Sequence, residues 1–319
     1  MAYISKDVWA ERFKGWLITG CAVRNNHILY LCARQDIPEE RASSMWDSEI
    51  PSRLVALFLD DLQEPYAHQE FSRFNKPKVG VAIFPLEQGL LSSDSEQGAV
   101  WVMGSGGPWP MEYIDESTWP STRRLKCIDG YTYSVCLFRD VYKRIDMGEW
   151  VRLDKGLPED NVSVDYGFKD IDAFSDTDFY AVGGCGDVWR YDGDSWSQCR
   201  FPSDEQLSTV TCAPDGNVYI GGEGCSLWMG REHSWQKVAR GGSTILWNES
   251  VWFQDKLWLS SDYQLRVWDG QALQLPMDGD NMVVLSGHID ARDGVLVVAS
   301  SRYVDMFDGE QWHSIVEPY

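Results

Sequence analysis

Histidine is scarce in this chain, and the common catalytic signatures are missing. There are 5 His residues, and no two of them have the spacing of metal ligands. The sequence contains no GxSxG, HExxH, P-loop or dinucleotide-binding motif, and its paired aspartates lack the full calcium-loop pattern. The histidines are scattered along the chain, at His27, His68, His233, His288 and His313. We therefore predict a protein that is not an enzyme and that binds no metal and no cofactor.

Basic residues are few as well. The chain has 28 Lys and Arg against 49 Asp and Glu, which gives a formal net charge of −21. The acidic residues are spread along the sequence instead of forming one tail. A surface of this kind repels phosphate backbones, which argues against a nucleic-acid ligand, and it attracts basic proteins. The alternative is that the charge serves solubility alone.

Long apolar runs and cysteine frameworks are also absent. No stretch approaches the roughly 20 apolar residues that cross a bilayer, and the first residues lack the apolar core of a signal peptide. The 8 cysteines form no CxxC pair and have no regular spacing, so we interpret them as reduced thiols. These features predict a cytoplasmic location and no membrane partner.

A repeat of nearly constant length fills the second half of the chain. Trp196, Trp235, Leu273 and Trp312 each open the last apolar run of a unit, and their spacings are 39, 38 and 39 residues. Trp150 marks an earlier unit with a longer connection. Each unit holds four short runs of strand-forming residues separated by turn residues. A period near 40 with four strands per unit is typical of a propeller blade.

We therefore predict an all-β fold, a single closed β-propeller of about seven four-stranded blades that occupies residues 1–319. The predicted blades are 14–75, 78–117, 122–155, 168–202, 207–240, 243–277 and 282–316. Six or eight blades stay open as alternatives, because the first blade contains the insertion QDIPEERASSMWDSEIP. Residues 8–13, VWAERF, are a candidate extra strand that would seal the ring.

The segment 178–196, DFYAVGGCGDVWRYDGDSW, contains a YxxGG turn and a YDGxxW hairpin. It resembles blades of bacterial kelch-like and two-component-regulator-type propellers, and the resemblance implies the fold but not the function. In overall character the chain is also similar to the propeller-type immunity proteins that accompany type VI secretion DNase effectors. That likeness implies a cytoplasmic immunity protein that binds and occludes a basic, nuclease-like toxin.

One rim of a propeller carries the turns between second and third strands together with the connections between blades, and such loops usually carry recognition. On this rim the sequence places acidic residues and two tyrosines. The predicted partner-binding residues are Glu159, Asp160, Asp187, Asp204, Glu205, Glu223, Asp262, Tyr263, Asp278, Asp280 and Tyr303. We interpret them as an acidic, aromatic-dotted surface for a basic protein.

Two other functions stay open on the sequence. The first is a propeller scaffold that docks endogenous proteins. The second is an enzyme with its active site in the central channel, which inward-facing His, Asp or Glu within hydrogen-bonding reach of one another would favour.

Overall fold

Short runs of β-branched and aromatic residues, each ended by small or acidic residues, make every repeat fold into one antiparallel sheet. The computed structural model describes residues 3–61, 63–95, 97–158, 167–242 and 244–319. Within these ranges seven four-stranded sheets follow one another along the chain. The predicted fold class, a seven-bladed propeller, is confirmed.

In each blade the strands lie side by side in chain order, from the channel outwards. Blade 1 contains β1 (Trp16–Asn25), β2 (Ile28–Gln35), β3 (Ser52–Phe58) and β4 (Tyr66–Phe71). Blade 2 contains β5 (Lys78–Ala82), β6 (Gln88–Ser92), β7 (Ala99–Met103) and β8 (Glu112–Tyr113). Blade 3 contains β9 (Thr122–Ile128), β10 (Tyr131–Cys136), β11 (Val141–Asp146) and β12 (Glu149–Arg152). Blade 4 contains β13 (Phe168–Ser175), β14 (Asp178–Gly183), β15 (Asp187–Tyr191) and β16 (Trp196–Gln198).

The last three blades keep the same order. Blade 5 contains β17 (Leu207–Cys212), β18 (Val218–Gly222), β19 (Ser226–Arg231) and β20 (Ser234–Ala239). Blade 6 contains β21 (Glu249–Phe253), β22 (Lys256–Ser260), β23 (Leu265–Trp268) and β24 (Leu273–Gln274). A two-stranded hairpin, β25 (Met277–Asp278) and β26 (Asn281–Met282), stands between blades 6 and 7. Blade 7 contains β27 (His288–Arg292), β28 (Val295–Ala299), β29 (Val304–Phe307) and β30 (Trp312–Val316).

Two short α-helices complete the fold, α1 (Lys6–Arg12) and α2 (Glu39–Ala42), and single 3₁₀ turns cover Asp47–Glu49 and Glu223–Cys225. The helix α1 begins where the Ser5 hydroxyl accepts a hydrogen bond from the Val8 amide at 3.4 Å. Asp7 in its first turn and Arg12 in its last turn suit the helix dipole.

The hydrophobic core lies between neighbouring sheets. Tyr180 and Val182 of blade 4, for example, pack with Leu207 and Val210 of blade 5, and all four are fully buried. Burial of such side chains contributes about 1.5–3 kcal/mol each. Each blade is therefore stabilised by its two neighbours, and the ring must close for the first and last blades to be covered.

Carboxylates of inner strands connect consecutive blades at the channel wall. Asp170 Oδ2 of β13 accepts the Val210 amide of β17 at 2.9 Å, and Asp172 Oδ2 accepts the Cys212 amide at 2.9 Å. Donor and acceptor lie 40 residues apart in both pairs. The constant repeat length thus places each acid opposite an amide of the next inner strand.

The ring closes by packing, by the same kind of contact, and by the backbone of the N-terminal segment, where the Tyr3 and Ile4 amides donate to the Ser314 and Ile315 carbonyls of β30, both at 2.9 Å. Asp290 Oδ2 of β27 accepts the Val23 amide of β1 at 2.7 Å. Ile4 and Phe13, on either side of α1, are buried in a core formed by blades 1 and 7. The expectation that residues 8–13 add a strand is wrong, because Val8 to Arg12 lie in α1. This segment covers the junction with apolar side chains instead of backbone pairing.

Candidate protein-binding rim

We define the upper rim as the seven turns between second and third strands together with the connections between blades. The opposite side, which carries the turns between first and second and between third and fourth strands, is the lower rim. Large apolar side chains that are exposed to solvent concentrate on the upper rim. They are Trp46, Trp119, Phe138, Tyr263, Met277, Met282, Val284 and Tyr303, against Phe84, Leu86 and Ile145 on the lower rim.

Five of the upper-rim residues belong to blades 6 and 7 and to the hairpin between these blades. We call Tyr263, Met277, Met282, Val284 and Tyr303 the blade 6–7 patch. Tyr263 is 74% exposed and Val284 is 79% exposed. Met277 pairs with Met282 across β25 and β26. Exposed methionine, tyrosine and valine near one another are typical of surfaces that bind another protein.

The base of the hairpin connection is fixed between the two tyrosine-bearing turns. The Gly287 amide donates to the Ser261 carbonyl at 2.7 Å, beside Tyr263. Gly287 has a φ of +113°, and a Cβ at this position would lie 2.2 Å from the Ala299 carbonyl oxygen, just before the turn that holds Tyr303. A glycine is therefore required here, and it brings the connection against both turns.

Acidic side chains surround this patch. Asp278 and Asp280 are exposed at the hairpin tip, and Asp262 is exposed next to Tyr263. The Asp262 carboxylate accepts a hydrogen bond from Asn248 Nδ2 at 2.7 Å, which holds it in place. Of the residues predicted from the sequence, the structure exposes Asp262, Tyr263, Asp278, Asp280 and Tyr303 on the upper-rim turns of blades 6 and 7 and on the connection between these blades.

Two more predicted residues form a separate acidic group on blades 4 and 5. Asp204 is exposed in the connection between these blades, and Glu223 is exposed in the turn after β18. The Glu223 amide donates to the Gln206 carbonyl at 2.8 Å, which places the turn beside the connection. Both carboxylates are available to a partner.

Asp187 and Glu205, in contrast, are engaged inside the protein. Asp187 is 1% exposed and accepts two hydrogen bonds from Arg139 of blade 3, from Nε at 2.6 Å and from Nη2 at 3.0 Å. The Glu205 carboxylate accepts hydrogen bonds from the Trp228 indole, from Ser226 Oγ at 3.1 Å and from Lys237 Nζ at 2.8 Å. Their placement on a partner-facing surface is corrected here, because cations and indoles of the same chain occupy these carboxylates.

Glu159 and Asp160 lie outside the described residues. Three exposed residues of the patch, Met277, Met282 and Val284, were not predicted from the sequence. The signal available was the DG pair at 278–279 between two methionines, which favours a tight hairpin. Apolar residues on a short hairpin are usually packed, so the sequence offered no reason to expect them at the surface.

The central channel brings titratable groups together, which is the arrangement that would favour an enzyme. His288 Nδ1 lies 2.9 Å from Glu249 Oε1, and Arg124 Nη1 lies 3.1 Å from the same oxygen. Arg124 Nε also lies 3.0 Å from Asp170 Oδ1. Burial works against the charge of Glu249, but His288 and Arg124 outweigh it and lower the pKa of this carboxyl to about 2. Burial likewise works against the charge of His288, but Glu249 raises the pKa of the imidazole.

The described residues contain no group of three or more His, Cys, Asp or Glu arranged to hold a metal ion. In the same part of the chain, no helix is long and apolar enough to cross a membrane.

No family model matches the sequence. A curated protein does match it, the immune protein Tsi7 of Pseudomonas aeruginosa strain PAO1. The two are 32% identical over 243 residues, which cover 72% of this chain and 76% of that protein.

Solved structures of propellers match the fold at low sequence identity. The WD40 β-propeller domain of Doa1 aligns with a TM-score of 0.62 and 11% identity, over 89% of this chain and 90% of that one. YCF48 bound to D1 peptide aligns with a TM-score of 0.60 and 13% identity, over 95% and 93% of the two chains. The extracellular domain of the putative one component system BT4673 of B. thetaiotaomicron aligns with a TM-score of 0.57 and 12% identity, over 92% of this chain and 38% of that one.

Proposed function

The chain belongs to the family of the immune protein Tsi7, and from this premise we propose that it neutralises a basic, DNase-like toxin by binding it with the upper rim. Membership in the family supports an immunity role and a toxin as the partner. The basic, nuclease-like character of that toxin is our inference from the charge of this chain, −21.

The observation that carries the proposal is the blade 6–7 patch with its acidic border. Tyr263, Val284 and Tyr303 supply exposed apolar surface, and Asp278 and Asp280 stand beside it. In protein complexes a few buried aromatic or apolar anchors carry most of the affinity, while charges at the border mainly raise the association rate. The patch contains both kinds of group in the arrangement that a tight complex needs.

The mechanism we propose is occlusion. A nuclease presents a basic surface to the phosphate backbone of its substrate. Acidic residues of the upper rim would occupy that surface in place of the phosphates, and the apolar patch would hold the toxin after the encounter. The toxin then cannot reach nucleic acid, and the immunity protein needs no chemistry of its own.

We also propose that the channel charges support the ring and are not catalytic. Asp170, Asp172 and Asp290 each accept an amide of the next blade's inner strand. Glu249 accepts the Ile289 amide of blade 7 at 3.3 Å in the same way. The variant Glu249→Gln, if folded, is therefore expected to protect as well as the wild type; loss of protection at normal toxin binding would favour a catalytic role.

A cytoplasmic location is part of the proposal. All eight cysteines are free thiols, which suits a reducing compartment. Fractionation of the producing cells should find the chain with cytoplasmic markers, and recovery with the periplasmic fraction would contradict this part.

The direct test is coexpression with the toxin, which we expect the adjacent gene to encode. Growth should be rescued by the wild-type chain and lost again with the triple variant Tyr263→Ala, Met282→Ser, Tyr303→Ala. The matched control is Phe84→Ala, Leu86→Ala, Ile145→Ala, which removes exposed apolar side chains from the lower rim. Continued toxicity with abundant, folded wild-type chain would overturn the proposal, and equal loss in both triple variants would overturn the choice of surface.

A further inference from the structure

Three cations meet at the upper mouth of the central channel. Lys78 is the first residue of β5, Arg123 is the second residue of β9, and Lys169 is the second residue of β13. These are the inner strands of three consecutive blades, and each enters the channel wall from the upper rim. Repeat geometry therefore places the three side chains at the same level of the ring.

None of these three cations forms an ion pair with a described residue. Within the described residues, no carboxylate lies within 4.0 Å of the charged atoms of Lys78, Arg123 or Lys169. Lys169 Nζ donates to Gln206 Oε1 at 3.2 Å, which is a neutral acceptor. Unpaired cations are unexpected in a protein with 49 acidic residues and 28 basic ones, where most half-buried cations can find a carboxylate.

The three side chains line a cavity of about 540 Å³ together with Arg124, Glu249 and His288. Among the described residues that line this cavity, Glu249 is the one carboxylate, and it is already bonded to Arg124 and His288. The cavity thus combines an excess of positive charge with the volume of an ordinary small-molecule site.

The pKa values of the two lysines agree with mutual repulsion among the cations around this cavity. Burial and then Arg124 lower the pKa of the Lys78 ammonium, and the attraction of Glu249 offsets them only in part. Burial and then Arg123 lower the pKa of the Lys169 ammonium. A bound anion would relieve both effects, because it would supply the missing opposite charge.

We propose that Lys78, Arg123 and Lys169 form a binding site for a small phosphate-type oxyanion at the upper mouth of the channel. A guanidinium and two ammonium groups match the several acceptor oxygens of a phosphate group. A nucleic-acid strand is a poor fit, since it would have to lie across the acidic surface, whereas a compact anion enters the mouth alone. This inference goes beyond the proposed immunity function and does not depend on it.

Isothermal titration calorimetry on the full chain tests the site, with inorganic phosphate, pyrophosphate and AMP as separate probes. We expect saturable binding with one site per chain, tighter for pyrophosphate than for phosphate. Tighter binding of AMP than of phosphate would identify a phosphate monoester as the natural ligand, and equal binding would identify the free anion. No saturable binding of any probe would overturn the proposal.

Matched variants assign the binding to these side chains. Lys78→Gln, Arg123→Gln and Lys169→Gln should each weaken pyrophosphate binding roughly tenfold. The control Lys6→Gln, Lys14→Gln, Lys256→Gln removes exposed cations elsewhere, and it should bind as the wild type does. Without ligand, the melting temperature of these three variants should be equal to or higher than that of the wild type, because each substitution removes repulsion between cations. Unchanged binding in the mouth variants, or equal loss in the control, would overturn the assignment.

Discussion

The replacement Asp187→Asn separates a structural carboxylate from a partner-binding one. Asp187 is 1% exposed and accepts hydrogen bonds from Arg139 Nε at 2.6 Å, from Arg139 Nη2 at 3.0 Å and from Trp189 Nε1 at 2.8 Å. The side chain of Arg139 is itself 10% exposed, so water does little to screen it. The amide would remove the carboxylate charge that accepts both of these hydrogen bonds from the buried guanidinium. Removal of one partner from a buried pair costs about 3–5 kcal/mol.

Denaturant unfolding followed by tryptophan fluorescence measures this loss. The control is Asp262→Asn, which changes an exposed carboxylate with one hydrogen bond to Asn248. We expect that control to alter the free energy of unfolding by no more than about 0.5 kcal/mol and to slow toxin association. Folded Asp187→Asn should bind the toxin at the wild-type rate. A loss of less than about 1 kcal/mol of stability in Asp187→Asn, together with slower toxin association, would refute a structural role for this carboxylate.

Three further predictions concern the patch, the channel and the ring. Tyr263→Ala should weaken toxin binding by about 2 kcal/mol, or roughly 30-fold, mainly through faster dissociation in surface plasmon resonance, while Phe84→Ala should not; similar losses would contradict the choice of rim. The pKa of Glu249 is lowered from 4.5 to about 2. Its ion pairs therefore add about 3 kcal/mol to the free energy of unfolding above pH 4.5, and this contribution is lost as the pH falls towards 2. Urea unfolding between pH 3 and pH 7 should therefore show that the difference in the free energy of unfolding between wild type and Glu249→Gln shrinks as the pH falls. A constant difference would contradict this stabilising role of the Glu249 ion pairs. Asp290→Ala should lower the free energy of unfolding by about 1–3 kcal/mol because the Val23 amide loses its acceptor. The control Asp176→Ala, at an exposed position in the equivalent turn of blade 4, should have little effect; equal effects would argue against ring closure through Asp290.

The fold was predictable because blade formation is a local and repeated property. Trp196, Trp235 and Trp312 recur at the start of fourth strands, and the spacing of these residues follows from strand and turn lengths that hardly vary. Ring closure was less predictable. Residues 8–13 have strand-like composition, but the Ser5 cap and the dipole-compatible charges of Asp7 and Arg12 favour a helix there.

The binding surface could be predicted only in part. Tyr263 and Tyr303 lie in short turns, where large side chains have little to pack against, and both are exposed. Asp187 is the first strand residue after an equivalent turn, but Arg139 of the preceding blade binds it, and no local pattern in the sequence predicts that contact. The exposure of Met282 depends in the same way on which parts of the surface the neighbouring blades cover.

Hydrogen–deuterium exchange of the chain with and without its toxin shows whether the toxin covers the blade 6–7 patch. Peptides that cover 261–264, 277–284 and 300–303 should exchange more slowly in the complex, because the toxin would cover the blade 6–7 patch. Peptides from the lower-rim turns at 254–255 and 293–294 should be unchanged. Protection confined to the lower rim, or a complex that protects neither side, would contradict the account.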